Sequence, residues 1–358
     1  MRVLMTLDAV GGVWRYSLDL ARALGAHGVE CLLTGLGPPP DAAQRAECDA
    51  IPNTWLAWIN HALDWTVADP AVLRPSAQRL AALAREWRAD LIQVNVPSQA
   101  AWLDCPQPIV VASHSCVPTW WQSVRRSELP ADLAWHRDLT LRGLRRADAL
   151  VVPSRSHGKA LDHTYGAGLR WQVVHNAVPP GPSPAAKQDM ILSVGRWWDE
   201  GKNGRVLDEA APHAPWPIIL AGALHGPNGA STQFAHVETT GALPPPEIRT
   251  LMQRAAIFAA PSLYEPFGLA VAEAATAGAA LVLSDIPTFR ELWHGAALFV
   301  PPDQPQAWAQ AFHSLANDVT LRQRLSATAK HRVATFTLGR QAEEIHAVYR
   351  SLKTAAAA

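Results

Sequence analysis

Two carboxylates seven residues apart, Glu265 and Glu273, stand in the run Tyr-Glu-Pro-Phe-Gly-Leu-Ala-Val-Ala-Glu (264–273). A carboxylate accepts hydrogen bonds from paired hydroxyls, so this spacing suits a polyhydroxylated ligand held at two places. The apolar runs Ala255–Ala260 and Ala280–Leu283 read as buried parallel strands, which makes the segment between them the helix of a strand-helix-strand unit. Pro266 suits a first helical position, so the helix is expected to begin at Glu265 with Glu273 two turns along. A helix N-terminus outside the carboxyl end of such a strand favours an anion, and a phosphorylated sugar joins that anion to hydroxyls. A capping glutamate and a plain surface glutamate have the same spacing, so the pair acquires meaning only from the rest of the chain.

Further along the same logic, Gly195-Arg196 and Lys202 lie in a second strand-to-helix loop after Met190–Val194, where a planar guanidinium and a point-charge ammonium can hold a diphosphate from two sides or stand as two solvated loop cations. Gly11-Gly12 follows the first strand, Arg2–Leu7, and precedes an amphipathic helix at about Trp14–Gly25; such a loop lets main-chain N–H groups approach a phosphate, although it lacks the Gly-x-Gly-x-x-Gly dinucleotide pattern. His114 stands just past the apolar run Ile109–Ala112, where a histidine can donate to or accept from a ligand, or serve a purely structural role as lone histidines at strand ends commonly do.

The elements that must position these residues alternate between strand and helix over 358 residues, a length that fits two α/β domains of doubly wound, Rossmann-like type facing a cleft. Val29–Thr34, Leu91–Val94, Ala149–Val152 and Gln172–Val174 complete the first sheet, with residues 41–90 expected to be largely helical. Four prolines within residues 179–184 mark a linker over 179–188, dividing an N-terminal domain (1–178) from a C-terminal one (189–335). Residues 336–358 form a last helix that can cross back to the first domain.

Composition excludes several classes. Lysine plus arginine equals aspartate plus glutamate at 31 each, so nothing in the net charge suggests a nucleic-acid partner. The four cysteines show no Cys-x-x-Cys spacing, as expected for free thiols in the cytosol, and no apolar run is long enough to cross a bilayer. The arginines at 125, 126, 137, 142, 145 and 146 form a local basic surface that is either a solvated helix face or a peripheral contact with the inner membrane surface. Eight of fifteen tryptophans cluster in the first half (Trp55, Trp58, Trp65, Trp87, Trp102, Trp120, Trp121, Trp135), where core packing is the expectation and a sugar or lipid surface the alternative.

Taken together these residues resemble the retaining glycosyltransferases of family four, of GT-B fold, from the first strand to about Phe312. Pro261-Ser262 with Tyr264-Glu265-Pro266-Phe267-Gly268-Leu269 and Glu273 resembles the family's Glu-x7-Glu signature. Gly195-Arg196 with Lys202 resembles its diphosphate clamp, Gly11-Gly12 its first glycine loop, His114 its cleft histidine, and Ala147–Ser154 with His175-Asn176-Ala177 the end of its first domain. The chain departs from the family at Ser115, where a different polar residue commonly follows the histidine, and at Ala177, often glycine.

The resemblance implies transfer of a hexose from a UDP- or GDP-linked donor to an acceptor hydroxyl with the anomeric configuration kept, in the synthesis of a polysaccharide, lipopolysaccharide or glycolipid. It assigns the hexose to Glu265, the ribose to Glu273, the sugar or acceptor to His114, the diphosphate to Arg196 and Lys202, and the donor more broadly to Gly11, Gly12, Phe267, Gly268 and Leu269, with Leu243 touching the base through its main chain. No cofactor or metal is implied, and the chain has no Asp-x-Asp motif. A sugar phosphorylase or synthase on the same fold, a nucleotide-sugar epimerase of the same shape, and an inactive subunit are the competing classes.

Overall fold

The computed structural model describes residues 1–181 and 185–357. Of the expected linker, positions 182–184 lie outside the described residues, and Gln188 already belongs to a strand. The strands in chain order are β1 (Arg2–Asp8), β2 (Glu30–Leu36), β3 (Thr54–Trp58), β4 (Leu91–Val94), β5 (Ile109–Ala112), β6 (Ala149–Val152), β7 (Trp171–Val173), β8 (Gln188–Val194), β9 (Ile218–Ala221), β10 (Glu238–Gly241), β11 (Ala255–Ala260), β12 (Ala280–Ser284) and β13 (Ala297–Val300). The helices are α1 (Gly12–Gly25), α2 (Ala42–Asp49), α3 (Arg74–Glu86), α4 (Val117–Val124), α5 (Ala134–Arg146), α6 (Arg155–Tyr165), α7 (Gly204–Ala210), α8 (Pro245–Arg254), α9 (Leu269–Thr276), α10 (Pro287–Trp293), α11 (Pro305–Asn317), α12 (Val319–Val333) and α13 (Leu338–Ala357).

Two compact units result: Met1–Ala177 together with Leu338–Ala358, and Val178–Thr337. The first is built on a seven-stranded sheet of order β3-β2-β1-β4-β5-β6-β7, the second on a six-stranded sheet of order β10-β9-β8-β11-β12-β13, and every pairing in both is parallel. Parallel strands covered on both faces read as unbroken apolar runs, as in Ala-Ala-Ile-Phe-Ala-Ala of β11, buried throughout. Alternate residues feed opposite cores: Val3, Met5 and Leu7 of β1 join one cluster, Leu4 the other, and in β11 Phe258 and Ile257 divide in the same way.

Helix α13 belongs to the first unit because Ala342, Ile345, Val348 and Tyr349, spaced to share one face, are buried beside α1 and β1. Each large apolar side chain buried in this way contributes ~1.5–3 kcal/mol, enough in sum to hold a terminal helix in place.

Three expectations are corrected. Residues 41–90 are not largely helical, since Thr54–Trp58 pairs as the edge strand β3. Its two-sided half-burial, with Trp55 48 % exposed, gives no continuous apolar run to detect. Of the eight clustered tryptophans none is fully buried; Trp58, Trp65 and Trp87 pack at core margins, whereas Trp14, Trp197, Trp293 and Trp308 fill the interior. The helix expected from Glu265 begins four residues later at Leu269, because Gly268 takes the left-handed conformation (φ 90°, ψ 65°) and interrupts any continuation from Pro266. Glu265 is therefore a loop residue, and Glu273 lies little more than one turn into α9.

Candidate functional site

In both sheets the strand order reverses direction beside the first strand, between β1 and β4 and between β8 and β11. Open parallel sheets bind ligands outside the carboxyl ends of the strands at such a switch point. In the second unit the loops leaving β8 and β11 carry Arg196, Lys202 and Glu265.

These two loops are stitched together. Asn203, in the left-handed conformation, donates through Nδ2 to the carbonyls of Pro261 (3.0 Å) and Pro302 (2.7 Å), while Leu263 N–H donates to the Gly201 carbonyl (2.8 Å). Asp199 accepts from Gly201 N–H (2.9 Å), which closes the short turn that carries Lys202. The result is an ion pair between residues 63 positions apart: Lys202 Nζ lies 2.5 Å from Glu265 Oε2, with the two side chains 21 % and 17 % exposed. Gly222 keeps the ends of β8 and β9 close, since a Cβ there would meet the Gly195 carbonyl oxygen at 1.9 Å and its φ is +131°.

Arg196 does not share this contact. Its guanidinium is 3.7 Å from Asp199 and lies over the Trp198 ring, 5.4 Å from the centroid, on a side chain 40 % exposed. Lys202 and Glu265 thus form one partly buried charged pair, and Arg196 a separate, more accessible cation with a planar face. Gly268 lies beneath Glu265, where a Cβ would come within 3.4 Å of the glutamate Cγ and 3.0 Å of the Phe289 ring.

The remaining candidates divide. Phe267 is a core residue, 3 % exposed, packed edge-on against Phe336 at 5.3 Å, so its side chain is unavailable to a ligand. Leu269 is half-buried against the same core, Glu273 is half-buried on α9, and Leu243 is half-buried in the loop between β10 and α8. Asn203, which ties the two loops, has no counterpart in the sequence reasoning; the signal was a left-handed Asn before a helix-opening glycine, which spacing alone does not reveal.

In the first unit Gly11 is the extended residue preceding α1 and Gly12 the helix's first residue. The turn before them is shaped by Asp8, which accepts from Val10 N–H at 2.9 Å. His114, two residues past the end of β5, packs edge-on against Tyr16 (4.3 Å between centroids) with Nε2 3.4 Å from Asn95 Oδ1. Although the residue still meets solvent in part, desolvation of its ring pushes the pKa down to about 4, so the imidazole is neutral at pH 7. Among the described residues no group of three or more His, Cys, Asp or Glu is placed to hold a metal ion, and no helix is long and apolar enough to cross a membrane.

Comparison with known proteins matches both halves of the chain. Residues 10–181 match the model of Glycosyltransferase Family 4, and residues 188–318 that of Glycosyl transferases group 1. Glycogen synthase of Mycobacterium tuberculosis is 24 % identical over 94 % of this chain and 91 % of its own. The GDP-mannose:cellobiosyl-diphosphopolyprenol alpha-mannosyltransferase of Xanthomonas campestris is 28 % identical over 69 % of this chain and 70 % of its own. Among solved structures, Anabaena HepE in complex with UDP-glucose superimposes with a TM-score of 0.75 at 18 % identity, over 98 % of this chain and all of that one.

Proposed function

Since the chain belongs to the GT4-type glycosyltransferases of GT-B fold, we propose that it moves a hexose, with retention, from a nucleoside diphosphate sugar to a hydroxyl of a glycan or lipid-linked acceptor. The observation that carries this is the Lys202–Glu265 pair at the switch point of the second sheet, with Arg196 in the adjoining loop. A carboxylate for sugar hydroxyls and two cations for a diphosphate are what such a donor requires. The names of the relatives support both halves of the reading: one uses GDP-mannose and a diphosphopolyprenol-linked acceptor, one is a glycogen synthase, and a structural neighbour holds UDP-glucose. The exposed arginines at 125, 126, 137, 142 and 145 fit peripheral contact of a cytosolic enzyme with an anionic membrane carrying a lipid-linked acceptor.

In this mechanism the acceptor oxygen attacks the anomeric carbon on the face from which the diphosphate departs. The bond from that carbon to the diphosphate oxygen breaks, and the departing phosphate takes the acceptor's proton. Lys202 and Arg196 balance the charge that collects on the diphosphate, Glu265 orients the hexose, and Glu273 the ribose.

Titration calorimetry with UDP and with GDP tests the assignment. The folded wild type is expected to bind one of them, and Arg196→Ala and Lys202→Ala each to weaken that binding about ten- to a hundredfold, the loss of one charge-assisted contact. Unchanged affinity in both variants removes the diphosphate from these residues. Turnover is also expected to survive excess EDTA, because two side-chain cations already face the leaving group; activity abolished by chelator and restored by magnesium or manganese contradicts that charge balance.

A further inference from the structure

The carboxyl ends of β1, β4 and β5 enclose a chain of buried polar side chains whose hydrogen-bond directions are fixed from one end. Asn95 is 1 % exposed, and its Nδ2 lies 2.6 Å from the Thr6 carbonyl oxygen, an atom that only accepts. That contact settles which end of the carboxamide is nitrogen. Nδ2 spends its second proton on Ser17 Oγ at 3.1 Å, and Asn95 N–H donates to Thr6 Oγ1 at 2.9 Å, which leaves Oδ1 as pure acceptor.

Two groups face that oxygen: Gln93 Nε2 at 3.0 Å and His114 Nε2 at 3.4 Å. Gln93, fully buried in the middle of β4, must present its nitrogen here, because its oxygen would oppose another oxygen. Its Oε1 then faces the other way and accepts from Tyr349 of α13, at 2.6 Å, while Nε2 also lies 3.4 Å from the Tyr16 hydroxyl. The Tyr349 and Tyr16 hydroxyls are both held protonated by burial, so the Tyr349 link is a donor at neutral pH.

We infer that Tyr349, Gln93 and Asn95 are positioning residues that fix His114 as the Nε2–H tautomer. Nδ1, which has no hydrogen-bond partner among the described residues, is thereby left as an acceptor for a ligand hydroxyl. A lone pair on Nε2 would oppose Asn95 Oδ1, so the proton belongs there, and a neutral imidazole carries only one. The hydroxyl recognised by Nδ1 must donate, as a sugar or acceptor alcohol does and a phosphate dianion or carboxylate does not. This rests on the reading of His114 as a residue of the sugar-transfer site. The last helix of the chain thus takes part in that site by way of a proton order rather than by touching the ligand.

Long-range proton–nitrogen correlation of the histidine rings, with His114 assigned by its loss in His114→Gln, reads the tautomer without substrate. Wild type is expected to show the Nε2–H form; an Nδ1–H form overturns the inference without any variant. Asn95→Ala is expected to bring the Nδ1–H form into exchange with it, and the conservative Tyr349→Phe to shift the ring nitrogens in the same direction by less. Ring signals unchanged in both variants also overturn it. In turnover, Asn95→Ala is expected to lose about tenfold, the worth of one orienting hydrogen bond, and to lose nothing further in the His114→Gln background. Fully additive losses place Asn95 outside the histidine's action. A wild type with the Nε2–H form that turns over no sugar nucleotide leaves the proton order intact and refutes the proposed activity instead.

Discussion

Glu265→Gln is expected to lower turnover by about ten- to a hundredfold while the Michaelis constant for the donor moves little. Glu265 stands in the loop after β11, and its Oε2 accepts from Lys202 at 2.5 Å. A carboxamide oxygen can keep that bond, so the lysine stays in place. In the proposed reaction, what is lost is the negative charge and one charged hydrogen bond to the reacting sugar, together about 1.5–3 kcal/mol at the transition state. Glu273, on α9, is assigned in the proposed reaction to the ribose, a group away from the bond that breaks. Glu273→Gln should therefore raise the donor's Michaelis constant first, the mark of binding energy that is equal in ground and transition states. Donor-dependence kinetics on the two variants separates the roles, and a Glu273 variant that binds donor normally yet fails to turn over would reverse them.

Acidification is expected to destabilise the first unit well before its carboxylates reach their ordinary range. Burial pushes His136 down to about 4 and His157 down to about 3, the latter helped by neighbouring His114, and His114 itself to about 4. The ordinary histidine value is 6.5, so between that and the folded value the unfolded chain binds protons that the folded chain refuses. The stabilisation is complete above about pH 6.5, declines as pH falls through that window, and stops changing once pH is below the folded values. At pH 5 each deeply buried histidine costs about 2 kcal/mol, a large share of a domain stability of roughly 5–15 kcal/mol. Urea titrations at pH 7 and pH 5 measure the loss. Replacing His157 by glutamine, which can still reach the Ser113 hydroxyl now 2.9 Å from Nε2, should flatten the dependence. An equal pH slope in wild type and variant contradicts this assignment.

The parts of the fold legible in the sequence were those where burial on both faces favours unbroken apolar runs: β5, β6 and β11 stand where those runs place them, and β4 does too although Gln93 interrupts its run. Edge strand β3 was not legible because its neighbours lie on one side only, so Trp55 and Thr54 interrupt the pattern. At the site, residue types were legible but their partners were not. Pro266 suits a helix start, but Gly268 turns left-handed and delays the helix to Leu269, and this changes the setting of Glu265. The Lys202–Glu265 pair depends on Asn203 bonding to two loops far away in the chain, a tertiary fact that local spacing cannot contain. Gln93 was the clue overlooked: a carboxamide in the middle of the buried run Leu-Ile-Gln-Val costs free energy unless it is satisfied, and so announces a network.

The first unit is completed by residues from both ends of the chain, with 256 positions separating Gln93 from Tyr349. During synthesis the contiguous unit Val178–Thr337 is therefore whole before the one that precedes it, and the earlier unit waits with the surface beside α1 uncovered until the final helix emerges. Closing so long a loop adds entropy cost only logarithmically, so the equilibrium structure is hardly penalised; the burden falls on kinetics, where distant contacts form late. A nascent chain stalled before Leu338 exposes an apolar strip matched to Ile345, Val348 and Tyr349, the kind of surface that chaperones hold and that a neighbouring chain's last helix can fill by exchange.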